Sequence, residues 1–177
     1  LLIKYSDPDP NQKTLFIWPE GVFTGYTLKE INIFKNLISN NFNENHQILF
    51  GVNTYNSKLQ VFNSLVIINN KFEIKYLYNK KKLVPFGEIL PFEIFFNKFG
   101  LKKITQGMES FTKGGKQKNY SYKNLNLLPL ICYEIIFPEL VQNSLKETNL
   151  LVNISEDGWF GNSIGPYQHF SKAIFRS

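Results

Sequence analysis

The sequence predicts an α/β domain in which helices cover β-sheets, an α+β layered arrangement. Three observations predict it: short apolar runs typical of buried strands recur along the chain, helical periodicity appears between some of them, and two strands are joined by a tight turn. The chain has 177 residues, of which 43% are hydrophobic, and this is enough for one domain with a substantial core.

The first half of the chain predicts four strands and one helix. Leu15-Phe16-Ile17 reads as a short buried strand that runs into Trp18-Pro19-Glu20. Thr27 and Glu30 have the spacing of a capping box, and apolar residues then recur at helical spacing from about Leu28 to Ile38. Further strands are predicted over residues 48–52, 61–68 and 72–78, the last two joined by a turn at Asn69-Asn70.

The second half begins with a long segment in which Pro and Gly interrupt every regular pattern, over residues 80–123. A segment of this length in a compact domain is typical of one that shapes a site. A strand is then predicted over residues 127–131, ending at Cys132. A helix is predicted to begin near Pro138, a strand to occupy residues 149–154, and a helix to occupy residues 167–175.

Composition excludes several classes of protein. The net charge of +6 comes almost entirely from Lys, in a chain that is also rich in Asn, Ile and Phe. AT-rich codons would produce this composition. Because the sequence also shows no nucleic-acid-binding motif, we expect no nucleic-acid partner. The single cysteine excludes an internal disulfide. No apolar run reaches the roughly 18 to 20 residues that span a bilayer, and no signal peptide is visible. Both ends, Leu1 and Ser177, are expected to be cut.

Three residues that could do chemistry each follow a predicted strand. Cys132 stands where a rigid strand gives way to a turn, a position that exposes a nucleophile and leaves the N–H of Tyr133 free to face an oxyanion. Glu20 and Lys80 also stand just past strand ends, where open sheets place their sites. Taken singly, each is better explained in a simpler way: Cys132 as a buried structural thiol, Glu20 as an exposed carboxylate and Lys80 as a solvated lysine. Their common position favours a shared site.

The sequence motifs that contain these residues identify a family more specifically than the positions of the residues do. They are Ile17-Trp18-Pro19-Glu20, the run from Tyr78 to Glu88, Ile131-Cys132-Tyr133-Glu134, and the run from Asn153 to His169. Together they closely resemble the nitrilase-like domain of the bacterial apolipoprotein N-acyltransferase family, a branch of the nitrilase (carbon–nitrogen hydrolase) superfamily. The Tyr-x-Lys spacing before Leu-Val-Pro-Phe-Gly-Glu selects Lys80 from three consecutive lysines.

The resemblance implies an αββα sandwich, with Glu20 as general base, Lys80 as transition-state stabiliser and Cys132 as nucleophile. It further implies that Glu88 and Glu134 support the site. Trp159 and Phe160 are interpreted either as core aromatics or as the lining of an acyl pocket. Residues 1–177 would form a partial domain, truncated at both ends, and the transmembrane segments that flank the domain in the family are absent from this chain.

The function that the resemblance implies is N-acyl transfer in lipoprotein maturation, with ping-pong kinetics. The donor would be a membrane phospholipid, the intermediate a thioester on Cys132, and the acceptor the α-amino group of a diacylglyceryl-cysteine on an apolipoprotein. The enzyme would work at the bacterial inner membrane, with this domain facing the periplasm, and would need no cofactor. The alternatives are a soluble nitrilase-type amidase with water as acceptor, and an inactive fragment of a split acyltransferase gene.

Other signals are rejected. Lys113-Gly114-Gly115-Lys116 lacks the spacing of a P-loop. His46 and His169 are interpreted as isolated residues, so no metal site is predicted. Asn153-Ile154-Ser155 matches a glycosylation pattern but lies in a predicted buried strand of a bacterial family.

Overall fold

Two β-sheets form the centre of the structure, a computed structural model that describes residues 1–85, 87–89, 110–142 and 148–176. The first sheet has the strand order β1-β2-β3-β4, with β1 parallel to β2 and the other neighbours antiparallel. Its strands are β1 (Thr14–Ile17), β2 (His46–Tyr55), β3 (Val61–Asn69) and β4 (Ile74–Asn79). The second sheet consists of β5 (Tyr120–Tyr122), β6 (Leu125–Ile131) and β7 (Leu150–Ile154), with β5 antiparallel and β7 parallel to β6.

Short helices cover these sheets. The α-helices are α1 (Leu2–Ser6), α2 (Lys35–Asn41), α3 (Pro138–Gln142) and α4 (Gly165–Ile174). Single turns of 3-10 helix span Glu30–Phe34, Cys132–Ile136 and Asp157–Phe160. Among the described residues no helix has both the length and the apolar character needed to cross a bilayer.

Three apolar clusters show that the layers are stacked α, β, β, α, as predicted. One cluster packs the helical segment around Ile31 and Ile38 against the outer face of the first sheet. A second fills the space between the sheets, where Leu65 of β3 and Leu127 of β6 are fully buried. The third packs α3 and the turn after β6 against the outer face of the second sheet. The core is thus divided among the faces of two sheets.

The capping box predicted at the first helix forms, but the helix differs from the prediction. The N–H of Thr27 donates to Oε2 of Glu30 at 2.7 Å, and the N–H of Glu30 donates back to Oγ1 of Thr27 at 3.4 Å. The first turns are 3-10 helix and become α-helical only at Lys35, so the α-helix predicted from about Leu28 to Ile38 is wrong at its start.

The turn between β3 and β4 is longer than Asn69-Asn70. The Oδ1 atom of Asn69 accepts the N–H groups of Lys71 and Glu73 at 3.1 and 2.9 Å, which closes a loop around its side chain. Phe72 lies inside this loop with a φ of 66°, so its assignment to a strand was wrong and β4 begins at Ile74.

Neither α1 nor β5 was predicted, and the 3-10 helices at Cys132–Ile136 and Asp157–Phe160 were not predicted either. The irregular segment predicted over residues 80–123 contains β5 near its end, and residues 86 and 90–109 of that segment lie outside the described residues. The described strand ends nevertheless meet on one side of the molecule. Glu20 follows β1, Lys80 directly follows β4, and Cys132 directly follows β6.

Candidate active site

Glu20 reaches the site because the chain after β1 lies directly against β2. The N–H of Trp18 donates to the carbonyl of Leu49 at 2.8 Å, and the segment continues across Gly51. A Cβ atom at Gly51 would lie 2.4 Å from the carbonyl oxygen of Glu20 and 2.6 Å from its Cα. Glycine at this position therefore allows the close approach that places Glu20.

Lys80 is almost completely buried, with 2% of its surface exposed, and its ammonium lies between two carboxylates. Its Nζ donates to Oε1 of Glu88 at 3.0 Å and lies 3.7 Å from Oε1 of Glu20. Burial lowers the pKa of Lys80, but the charges of Glu20 and Glu88 outweigh burial, so the pKa is raised above its ordinary value. Lys80 therefore remains positively charged although it is buried.

Asn63 joins the two carboxylates that flank Lys80. Its Nδ2 donates to Oε1 of Glu20 at 2.8 Å and to Oε1 of Glu88 at 2.7 Å. Its backbone carbonyl accepts the N–H of Lys80 at 2.9 Å. Asn63 was not among the predicted site residues, although an amide in the middle of an apolar strand is a signal that a buried polar partner exists.

The Glu20 carboxylate also accepts the backbone N–H of Glu156, at 3.0 Å to Oε2, from the segment after β7. Burial raises the pKa of Glu20, and the nearby Glu88 adds to the increase. The Lys80 ammonium and the hydrogen bonds from Asn63 and Glu156 oppose it, but burial outweighs them. A carboxylate with a raised pKa is a better proton acceptor than an exposed one.

Cys132 adopts a backbone conformation that few side chains adopt. Its φ is 51°, in the left-handed region, which costs a non-glycine residue roughly 1–2 kcal/mol. Burial raises the pKa of the Cys132 thiol, and the Glu20 charge raises it further, while Lys80, the Ser155 hydroxyl and the N–H of Tyr133 lower it. Because the raising effects are larger, the resting thiol is protonated and needs a base before it can attack.

Glu134 connects the strand that carries Lys80 to the strand that carries Cys132. It is fully buried, and its carboxylate accepts the Tyr78 hydroxyl at 2.9 and 3.0 Å. It also accepts three backbone N–H groups, those of Lys81 (2.6 Å), Lys82 (3.0 Å) and Ile131 (3.0 Å). Burial raises the pKa of Glu134 despite these donors. Glu134 therefore fixes the end of β4 against the end of β6.

Glu88 holds the segment after β4 in the same way. Besides Lys80 and Asn63, it accepts the backbone N–H of Val84, at 2.9 Å to Oε2. Gly114 closes this segment from the other side, because its N–H donates to the carbonyl of Lys80 at 2.8 Å. The structure thus brings Glu88 and Glu134 against the backbone that carries Lys80 and Cys132.

The interpretation of His169 as an isolated residue was wrong. Its Nδ1 lies 2.9 Å from Oδ1 of Asp157, and its Nε2 lies 2.9 Å from the carbonyl oxygen of Cys132. Asp157 also accepts the hydroxyl of Ser155 at 2.5 Å. His46, by contrast, is far from the site and is held by Asp9 and Asn43. The contacts of His169, Asp157 and Ser155 join residues that the sequence could not connect.

Trp159 and Phe160 are exposed on the short helix that follows β7. Their exposed fractions are 73% and 41%, so the interpretation of these residues as core aromatics is wrong. The Phe160 ring lies 6.2 Å from the His169 ring, centroid to centroid, which places an apolar surface next to the residues around Cys132.

The site therefore brings together a carboxylate, a buried ammonium group and a thiol. Glu20 can accept a proton, Lys80 can stabilise negative charge, and the Cys132 thiol can attack an electrophilic carbon. Negative charge that develops on an oxygen near Lys80 would be stabilised strongly, because buried charges are poorly screened.

Known proteins resemble this chain both in sequence and in fold. The sequence profile of the carbon–nitrogen hydrolase family matches residues 11–173. An apolipoprotein N-acyltransferase of Rhizobium leguminosarum bv. trifolii is 39% identical over 117 residues, which are 66% of this chain and 22% of the relative. One of Vibrio parahaemolyticus is 31% identical over 186 residues, covering 99% of this chain and 37% of the relative. The chain thus spans between about a fifth and somewhat over a third of the length of these relatives.

Solved structures share the fold at low identity. A carbon–nitrogen hydrolase superfamily protein from Xanthomonas campestris superposes with a TM-score of 0.61 at 16% identity, over 98% of this chain and 64% of that one. A carbon–nitrogen hydrolase from Helicobacter pylori superposes with a TM-score of 0.59 at 15% identity, over 92% and 56%. These matches confirm the predicted fold.

Proposed function

The chain belongs to the carbon–nitrogen hydrolase family, and from this premise we propose that it is the catalytic part of an N-acyltransferase that acts through a thioester on Cys132. The donor is a membrane phospholipid, and the acceptor is the α-amino group of the diacylglyceryl-cysteine that begins an apolipoprotein. The observation that carries the proposal is the cluster formed at three strand ends by the buried Lys80 and the half-buried Glu20 and Cys132.

In the first half-reaction, Glu20 takes the thiol proton and the Cys132 sulfur attacks the ester carbonyl carbon of the phospholipid. The carbonyl π electrons move to oxygen, where the Lys80 ammonium and the N–H of Tyr133 stabilise the negative charge. The intermediate collapses, the ester C–O bond breaks, and the lysophospholipid oxygen leaves with the proton from Glu20. A thioester on Cys132 remains.

In the second half-reaction, the acceptor amine attacks the thioester carbonyl and the C–S bond breaks. Glu20 removes the proton that the amine loses and returns it to the sulfur, so the enzyme regains its starting state. The products are an amide on the lipoprotein and a free Cys132 thiol. The two half-reactions occur in turn, as ping-pong kinetics requires.

The choice of acyl transfer over amide hydrolysis rests on the relatives named apolipoprotein N-acyltransferase, at 31–39% identity. The exposed Trp159 and Phe160 would offer apolar surface to an acyl chain. We further propose that residues 1–177 form part of a catalytic domain whose enzyme is held in the bacterial inner membrane by segments outside this chain, with the domain on the periplasmic side.

The test follows the acyl group. The longest natural form of the protein, in membranes or detergent, is incubated with a phospholipid that carries a labelled acyl chain, and Cys132→Ala serves as the control. We expect intact-mass analysis to show a hydroxylamine-sensitive acyl adduct that is absent from the control. A diacylglyceryl-cysteine peptide with a free α-amino group should then remove the label, and the same peptide with an acetylated amine should not.

The other outcomes are equally decisive. Release of the label as free fatty acid, unaffected by the peptide, would assign water as the acceptor and favour a hydrolase. A protein that is folded yet forms no adduct would refute the acyltransferase proposal and favour an inactive fragment.

A further inference from the structure

Within the described part of the chain, the ring nitrogens of His169 contact two acceptors and no donor. The carboxylate of Asp157 lies 2.9 Å from Nδ1, and the carbonyl oxygen of Cys132 lies 2.9 Å from Nε2. A backbone carbonyl can only accept, and an ionised carboxylate can only accept, so both ring nitrogens must carry a proton to satisfy both contacts. A ring protonated at both nitrogens is an imidazolium cation.

The other histidine offers a direct contrast. The Nδ1 atom of His46 accepts the backbone N–H of Asn43 at 3.1 Å, and its Nε2 faces the carbonyl oxygen of Asp9 at 2.8 Å. One nitrogen must therefore be unprotonated and the other protonated, which is the neutral ring. The hydrogen-bond partners therefore predict a protonated, cationic ring for His169 and a neutral ring for His46.

The carbonyl that His169 contacts belongs to the same peptide unit as the N–H of Tyr133, the donor proposed for the oxyanion. The carbonyl of Cys132 and the N–H of Tyr133 belong to one planar, trans peptide, so they point in opposite directions and move together. That N–H lies at the Cys132 sulfur and is the donor proposed for the oxyanion. A hydrogen bond to the carbonyl therefore orients the N–H, and it also polarises the peptide so that the N–H donates more strongly.

We propose that His169 is a positioning residue that acts as an imidazolium held by Asp157: it fixes the peptide between Cys132 and Tyr133, and its charge favours the Cys132 thiolate. The Cys132 sulfur, a carboxylate oxygen of Asp157 and a ring nitrogen of His169 all lie within 4.8 Å of one another, so the ring is close enough to act on the sulfur. The proposal rests on the proposed role of Cys132 as nucleophile.

Several charged groups surround this arrangement. Asp157 faces the ring from the turn before α4, and Cys132 faces it from the turn after β6. Glu20 and Lys80 also act on the thiol, the first raising its pKa and the second lowering it. The remaining charged groups at α4 are Lys172, which is exposed, and Arg176, which binds the carbonyls of Ile135 and Ile136.

The first measurement needs no variant. The protein is labelled with ¹⁵N-histidine in its longest natural form, and the ring nitrogen shifts are recorded at pH 7. We expect both nitrogens of His169 to be protonated, while His46 shows one protonated and one unprotonated nitrogen. An unprotonated ring nitrogen on His169 at this pH would overturn the proposal, whether or not the protein transfers acyl groups.

The second measurement follows the alkylation of Cys132 by iodoacetamide as a function of pH. His169→Gln keeps a donor for the carbonyl but removes the charge, and Lys172→Gln removes an exposed charge from the same helix. At pH values below the pKa of the Cys132 thiol, we expect alkylation to be about tenfold slower in His169→Gln, because loss of the charge raises the thiol pKa by about one. At pH values above that pKa, the two rates should converge. Lys172→Gln should match the unaltered protein.

Two results of this second measurement would contradict the proposal. One is an unchanged profile in His169→Gln, and the other is the same slowing at every pH, which would show a purely structural role. Alkylation needs neither phospholipid nor acceptor, so this result is independent of whether acyl transfer is the natural reaction. If His169→Gln does not fold, the nitrogen shifts of the unaltered protein decide the question.

Discussion

Replacing Glu134 by glutamine should weaken the contact that holds the end of β4 against the end of β6. The carboxylate accepts backbone N–H groups at both oxygens, from Lys81 and Lys82 on one side and Ile131 on the other. Glutamine has one oxygen, so its NH₂ group must face at least one of these donors. The Tyr78 hydroxyl can rotate to accept from that NH₂ group, but a backbone N–H cannot adapt.

The magnitude follows from the number of donors left unpaired. A buried donor without a partner costs about 1–3 kcal/mol, and at least one is created here. Loss of the charge on the acceptor weakens the remaining hydrogen bonds, so we expect the free energy of unfolding to fall by about 2–3 kcal/mol. For a domain of this size that is a fall of roughly 4–12 °C in the midpoint of thermal unfolding.

The assay is thermal unfolding of the longest natural form, followed by tryptophan fluorescence, alongside formation of the acyl adduct. The control is Glu139→Gln, because Glu139 is a nearby exposed acid that pairs with Lys82 at the surface at 2.7 Å. The control should leave the midpoint unchanged within error. A Glu134→Gln protein with an unchanged midpoint and full adduct formation would refute the view that Glu134 joins the two strand ends.

Further predictions concern the base. Adduct formation should increase with pH through the raised pKa of Glu20, because only the ionised carboxylate accepts the thiol proton. Asn63→Leu removes a hydrogen bond that lowers the pKa of Glu20, so it should move the acid limb of the pH–rate profile to higher pH. If the acid limb does not move, Glu20 is not the group whose titration the profile reports. Gly51→Ala should reduce adduct formation at least tenfold, since a Cβ there collides with the Glu20 backbone. Gly115→Ala, where a Cβ meets no atom of the described residues within 4 Å, should leave the rate unchanged.

Much of the fold could be predicted because its signals are local. The strands that contain Leu15, Leu127 and Leu150 coincide with short apolar runs, and each run favours a strand independently of the others. The misses occurred where tertiary contacts outweigh local pattern. Phe72 alternates correctly with its neighbours, yet it lies in a loop closed by the side chain of Asn69. The three-residue strand β5 exists because β6 lies beside it.

The sequence by itself determined the layered α/β class, the family, and the positions of Glu20, Lys80 and Cys132 at strand ends, because strand periodicity and short motifs are properties of neighbouring residues. Only the tertiary structure decided which groups act on one another. Asn63 meets Glu20 and Glu88 across 43 and 25 residues of chain, and His169 meets the Cys132 carbonyl across 37. Such contacts depend on how the sheets stack, and the charge of a buried group depends on those contacts.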